Sequence, residues 1–150
     1  QPCHGRGRNL RGLCQAMKLL RGLIFGLLLA GLVAPAQAGS DVARVSLHWL
    51  SLLDAGKFDE SWSHSSTLLR LQQMPDQWNR RMKRLQDAYG ALSMRSVSGV
   101  SFSRTMQGMP DGSYATVRFQ SSFFRQRNAT ETVTLRWETD KWRIVNYVVR

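Results

Sequence analysis

The stretch "LDAGKFDESW", residues 53–62, brings Asp54, Asp59 and Glu60 within seven positions, the tightest acidic grouping in the 150-residue chain. Carboxylates this close could ligate a cation or share acid and base roles. Calcium loops, however, place oxygen ligands at alternating positions with a glycine at the sixth. The spacing here differs, and Gly56 falls too early. General acid–base pairs converge in a pocket rather than neighbouring one another on a loop. Asp59 and Glu60 instead suit the first turn of a helix, where the positive end of the dipole favours them. Asp54 then falls in the last turn of the preceding helix, relieved by Lys57. The acids are therefore expected to mark a seam between two helices.

Polar residues that interrupt apolar strand faces are better candidates. Glu131 shares a side with Ala129, Val133, Leu135 and Trp137, and Arg104 with Phe102 and Met106; Asn146 falls between Ile144 and Val148. If those faces line a cavity, Arg104, Glu131, Asn146 and Tyr147 are the convergent polar groups of an apolar ligand pocket. Glu131 then has two possible roles. Desolvation by apolar neighbours would raise its pKa and suit it to act as a general base. Alternatively, Arg104, Arg95 or backbone groups satisfy it, and it holds the sheet together.

Other residue types offer less. His48 and His64 are the only histidines after position 38, and they lack an H-x-x-x-H spacing or a carboxylate cluster, so neither a metal nor a cofactor is expected. Ser61, Ser65 and Ser66 lie near His64 without the signature of a nucleophile elbow. The run "RRMKR" places Arg80, Arg81, Lys83 and Arg84 on the outer face of a helix whose Trp78, Met82 and Leu85 turn inward. Such a run is either solvated or meets an anionic surface.

The elements that must position these groups divide into a helical half and a strand half. Val42, Val45, Trp49 and Leu52 form one helical face, capped at Ser40 or Asp41 and closed at Gly56. A second helix opens at Asp59 and becomes irregular in "SHSST". A third runs from Pro75 to Gly90 on the stripe Trp78, Met82, Leu85 and Tyr89. The period then changes to two in "VSGVSFSRTM", "SYATVRFQSSFF", "ATETVTLRWE" and "KWRIVNYVVR", separated by turn chemistry at 109–113, 125–128 and 139–141. Three helices covering one face of a mostly antiparallel four-stranded sheet make an α+β domain.

Residues 17–38 read as a secretory signal: Lys18 and Arg21, an apolar run from Leu23 to Ala34, and Ala36-Gln37-Ala38 as a cleavage site before Gly39. The run is shorter than the roughly 20 residues of a membrane-spanning helix, so no transmembrane segment is expected after cleavage, and the periplasm is the expected destination. Residues 1–16 read as upstream sequence or a mis-set start. Both cysteines, Cys3 and Cys14, precede the cleavage site, leaving residues 39–150 without disulfide or thiol chemistry. The net charge of +11 includes five basic residues and no acid before Gly39, so residues 39–150 carry 16 basic and 10 acidic groups, or +6. In an exported protein this favours an anionic surface over nucleic acid as a partner.

"WLSLLDAGKFDESW", "QWNRRMKRLQDAYGALSMR", "MPDGSYATVRFQSSF", "ATETVTLRWE" and "WRIVNYVVR" follow, in order and spacing, the pattern of the bacterial family called domain of unknown function 4019. The resemblance covers about residues 44–150 and implies no catalytic residue. The order of elements also resembles the cone-shaped fold of nuclear transport factor two and the ketosteroid isomerases, a likeness of fold rather than function. These readings lead to an exported, non-enzymatic envelope domain, a monomer or weak dimer, that binds a small ligand or a protein partner. The alternatives are an isomerase-like pocket enzyme with Glu131 as base, and a structural envelope protein.

Overall fold

The computed structural model describes residues 35–150. The readings for the upstream segment and the signal's charged and apolar regions lie outside the described residues. Helix α1 spans Pro35–Asp54 and starts ahead of the expected cap. Pro35 suits a first helical turn, and Ser40 Oγ donates to Gln37 O at 2.8 Å within the helix instead of capping it. Val42, Trp49, Leu50 and Leu53 are buried along one face. At the other end, the amides of Gly56 and Lys57 donate to Leu53 O and Leu52 O at 3.0 and 2.8 Å. This bonding closes the helix with Gly56 at φ +71°, a left-handed conformation that glycine adopts without strain.

Two short helices follow, α2 (Phe58–Ser63) and α3 (Thr67–Gln72). The second was not expected from the irregular serine stretch. Ser66 explains it: its hydroxyl accepts the Leu69 amide at 3.1 Å, so the serine caps a helix rather than breaking one. Ser61 and Ser65 satisfy buried indoles. Trp49 Nε1 donates to Ser61 O at 2.8 Å and to Ser65 Oγ at 3.1 Å, while Trp78 Nε1 donates to Ser61 Oγ at 2.9 Å. Helix α4 (Pro75–Tyr89) buries Trp78 and Met82 and ends at Gly90, φ +79°.

Strands β1 (Leu92–Ser103), β2 (Tyr114–Phe123), β3 (Ala129–Glu138) and β4 (Lys141–Val149) form an antiparallel sheet in sequential order. This is the α+β arrangement expected from the change of period, with α3 added to the helical layer. The β3–β4 turn places Thr139 and Asp140 at φ 47° and 63°, the left-handed pair that a two-residue hairpin needs. The sheet curls. The rings of Phe102 on β1 and Trp142 on β4 lie 6.1 Å apart, although a flat sheet would separate these outer strands by about 14 Å. Val117, Phe119, Val133, Leu135 and Ile144 meet the helices in one core. The cover thins toward β1, where Val97, Val100 and Phe102 remain 44, 36 and 49% exposed.

Strand β1 departs from simple alternation. Its pairing with β2 shifts between Leu92 and Met94 and again between Val97 and Gly99. The strand ends at Ser103, so Arg104 and Met106 do not continue its apolar face. Arg104 belongs to the connection to β2, where its carbonyl accepts the Gly112 amide at 3.0 Å.

Candidate functional site

Glu131 sits on the concave face of β3 and is fully buried. Both carboxylate oxygens are engaged. Oε2 accepts from Arg95 Nε at 2.6 Å and Ser121 Oγ at 2.5 Å, and Oε1 accepts from Arg95 Nη2 at 3.0 Å and Tyr147 Oη at 2.7 Å. Register explains the convergence. Arg95 lies opposite Ser121, Ser121 opposite Ala129, and Tyr147 opposite Val133. Glu131 is thus diagonal to both Ser121 and Tyr147, within reach of their side chains. One polar line crosses all four strands.

Helix α1 completes it. Arg95 Nη1 and Nη2 donate to Asp54 Oδ2 and Oδ1 at 2.6 and 3.0 Å. Asp54 closes α1, where the negative dipole end disfavours a carboxylate. Arg95, rather than the expected Lys57, offsets this; Lys57 instead pairs with Glu60 at 3.3 Å. The Arg95 side chain is only 6% exposed. Burial opposes its charge, but hydrogen bonds to Asp54 and Glu131 and the charges of both acids outweigh burial and raise its pKa. Burial raises the pKa of the Tyr147 phenol, reinforced by the charge of Glu131 and its hydrogen bond, so Tyr147 remains a neutral donor.

A cleft adjoins this network between the end of α1, helix α4 and the outer ends of the strands. Its cavity volume is about 50 Å³. Leu53, Phe58, Met82, Leu85, Phe123 and Val149 supply apolar wall, with Asp54 and Tyr147 at its polar side. Gln86 Nε2 approaches the carbonyls of Leu53 and Asp54 at 3.4 and 3.3 Å, fixing the end of α1 against α4.

Of the four pocket candidates from sequence, Glu131 and Tyr147 meet. Arg104 points elsewhere, donating to Ser113 Oγ at 3.4 Å. Asn146 lies opposite Thr134 beside a register shift and is exposed on the other side of the sheet from Tyr147. Sequence reasoning did not assign Ser121 or Asp54 to this site and named Arg95 only as one possible partner. Ser121 carried a signal, for it occupies the inward position skipped between Phe119 and Phe123. Arg95 did not: counting back by twos from Val100 puts it on the opposite face, and only the shift at Val97/Gly99 turns it inward.

The acids of the opening cluster divide as a seam would. Asp59 and Glu60 occupy the first turn of α2, and Asn79 Nδ2 donates to Asp59 Oδ1 at 2.6 Å. The basic run divides too. Arg80, Lys83 and Arg84 line an open groove on α4. Arg81 does not share their face: it lies over the Trp78 ring at 5.8 Å and donates to Tyr147 O at 3.0 Å. His48 and His64, though on separate elements, both border a groove beside Trp142. Among the described residues, no group of three or more potential metal ligands occurs, and no helix is long and apolar enough to cross a membrane.

No curated protein matches the chain. A solved structure described as Aln2, from a Streptomyces species, is similar over 80% of this chain and 93% of its own, at 10% identity and a TM-score of 0.49. A family model described as "Protein of unknown function (DUF4019)" matches residues 45–147, which include Asp54, Arg95, Ser121, Glu131 and Tyr147. The chain belongs to that family.

Proposed function

We propose that this chain is an exported, non-enzymatic binding domain that takes a small apolar group into the cleft beside the Glu131 network. The observation carrying this reading is the pairing of an apolar cleft with a carboxylate whose oxygens are both already occupied. A general base needs a free lone pair within reach of a substrate proton. Glu131 accepts four hydrogen bonds, and its nearest cation is the buried Arg95. Volume argues the same way. About 50 Å³ is well below the roughly 300–1,000 Å³ of pockets that enclose whole metabolites. It has room for the end of a chain or one apolar side chain.

Binding is tested with 1-octanol by following the methyl resonance of Met82, which lines the cleft. A saturable shift is expected; a shift that only grows linearly, as bulk solvent effects do, would overturn the reading. Export rests on the charged, apolar and small-residue segments of positions 17–38. N-terminal sequencing of protein recovered from the cell envelope should begin at Gly39, and a product that retains the apolar run would refute cleavage.

A further inference from the structure

Phe58 lines two sites. On one side it forms wall in the apolar cleft; on the other it floors an open groove bordered by Asn79, Arg80, Lys83 and Arg84. The groove is shallow and open to solvent, unlike the cleft. Arg80, Lys83 and Arg84 occupy positions i, i+3 and i+4 and therefore crowd one helical face, an arrangement that like charges disfavour. Little among the described residues offsets it. Lys83 pairs with Asp87 at 2.5 Å, whereas Arg80 and Arg84 form no ion pair among the described residues. Asp59, bonded to the groove residue Asn79, stays on α2 and is engaged by that amide at 2.6 Å.

A cationic groove that meets an apolar cleft at one aromatic ring has the polarity of an amphiphile. We infer that the ligand is a single-chain anionic amphiphile, its acidic head between Arg80, Lys83 and Arg84 and its apolar end beyond Phe58 in the cleft. This inference rests on the binding reading above and adds the ligand's charge and chemical class. The apolar cleft beyond Phe58 favours one molecule over a bilayer surface, since a flat membrane would touch the outer arginines without entering the cleft. The guanidiniums supply paired donors for a carboxylate or phosphate head. Arg81, turned onto Trp78, takes no part.

The test compares decanoate with 1-decanol, both below micelle formation, by the Met82 methyl shift. Decanoate should bind at least about tenfold more tightly at low salt, and the advantage should shrink in high salt as screening weakens its attraction to the groove. An Arg80→Gln/Arg84→Gln double variant, altered only on the outer face of α4, should hold or slightly raise its thermal midpoint as the like-charge crowding is relieved, and should keep its decanol affinity while losing the preference for decanoate. Equal binding of the two probes in the unaltered protein would overturn the anionic class and leave the cleft reading standing. No saturable binding of either probe would overturn both. Inorganic phosphate binding as tightly as decanoate would show a simple anion site and refute the amphiphile. Sedimentation with phosphatidylglycerol vesicles, with decanoate leaving Met82 unmoved, would replace it with a bilayer contact.

Discussion

Glu131 is a buried carboxylate with both oxygens engaged, and its neighbours depend on it as much as it depends on them. Glu131→Gln preserves the shape but removes the charge and replaces one acceptor oxygen with a donor. Arg95 then stays buried facing only Asp54, and one of its donors, or that of Ser121 or Tyr147, loses its partner. Breaking a buried pair in this way costs about 3–5 kcal/mol. Urea denaturation of the variant should show a loss of that size, and an unchanged or increased midpoint would restore the general-base reading. Tyr147 adds a pH dependence. Its pKa is raised in the fold by burial and by Glu131, so the folded protein holds the phenolic proton after the unfolded chain has released it. The stability from this source is complete below about pH 10 and falls as pH rises further. Between about pH 9 and pH 11, stability should decline more steeply in the parent protein than in Tyr147→Phe; parallel slopes would contradict the linkage.

At the scale of elements, the short helices between α1 and α4 act as a hydrogen-bonding layer as well as connections. Ser61 receives both buried indoles, one at its carbonyl and one at its hydroxyl. Ser61→Ala leaves the carbonyl for Trp49 but deprives Trp78 Nε1 of its acceptor in a fully buried site. An unpaired buried donor costs about 1–3 kcal/mol. Thermal denaturation should show that loss, with the Trp78 indole N–H resonance displaced; a neutral variant would mean that another acceptor reaches the ring. The serine-rich stretch looked irregular because its hydrophobic period is poor. Its regularity lies in caps and indole partners, which depend on α4 and the sheet and do not appear in a periodicity count.

At the largest scale, residues 35–150 present a sheet whose convex face carries Thr116, Arg118, Gln120, Thr130 and Thr132, all outside the buried core. A wet face of this kind supplies little apolar area for a stable dimer. Light scattering at micromolar concentration should give the mass of one chain, and a mass of two chains would contradict this. The face is less open than its sequence suggests at one end. There Tyr114 is buried, its hydroxyl donates to Pro110 O, and Arg136 lies over its ring at 5.8 Å. The turn between β1 and β2 therefore folds back on the convex side instead of extending the strands.

Much of this architecture is local and could be read along the chain. The stripes of α1 and α4, the glycines at positions 56 and 90, the alternation in β2 and β3 and the β3–β4 turn each depend on neighbours a few residues away, so periodicity and turn chemistry expose them. Those same local patterns sufficed for the α+β class and for singling out Glu131 on an apolar face. The partners of Glu131 are another matter. Arg95 is 36 residues from it in sequence and 41 from Asp54. Which side of β1 presents Arg95 was set by a register shift that alternation cannot signal, and whether Arg104 or Arg95 reached the carboxylate depended on where that strand stopped. Likewise, the basic run showed four cations, but packing against Trp78 and Tyr147 removed Arg81 from the outer set. Apolar burial is written into residue spacing because it follows from which face turns inward. The pairing of polar groups is not, because hydrogen bonds need atoms within about 3 Å, and only register, curl and helix ends bring distant side chains that close.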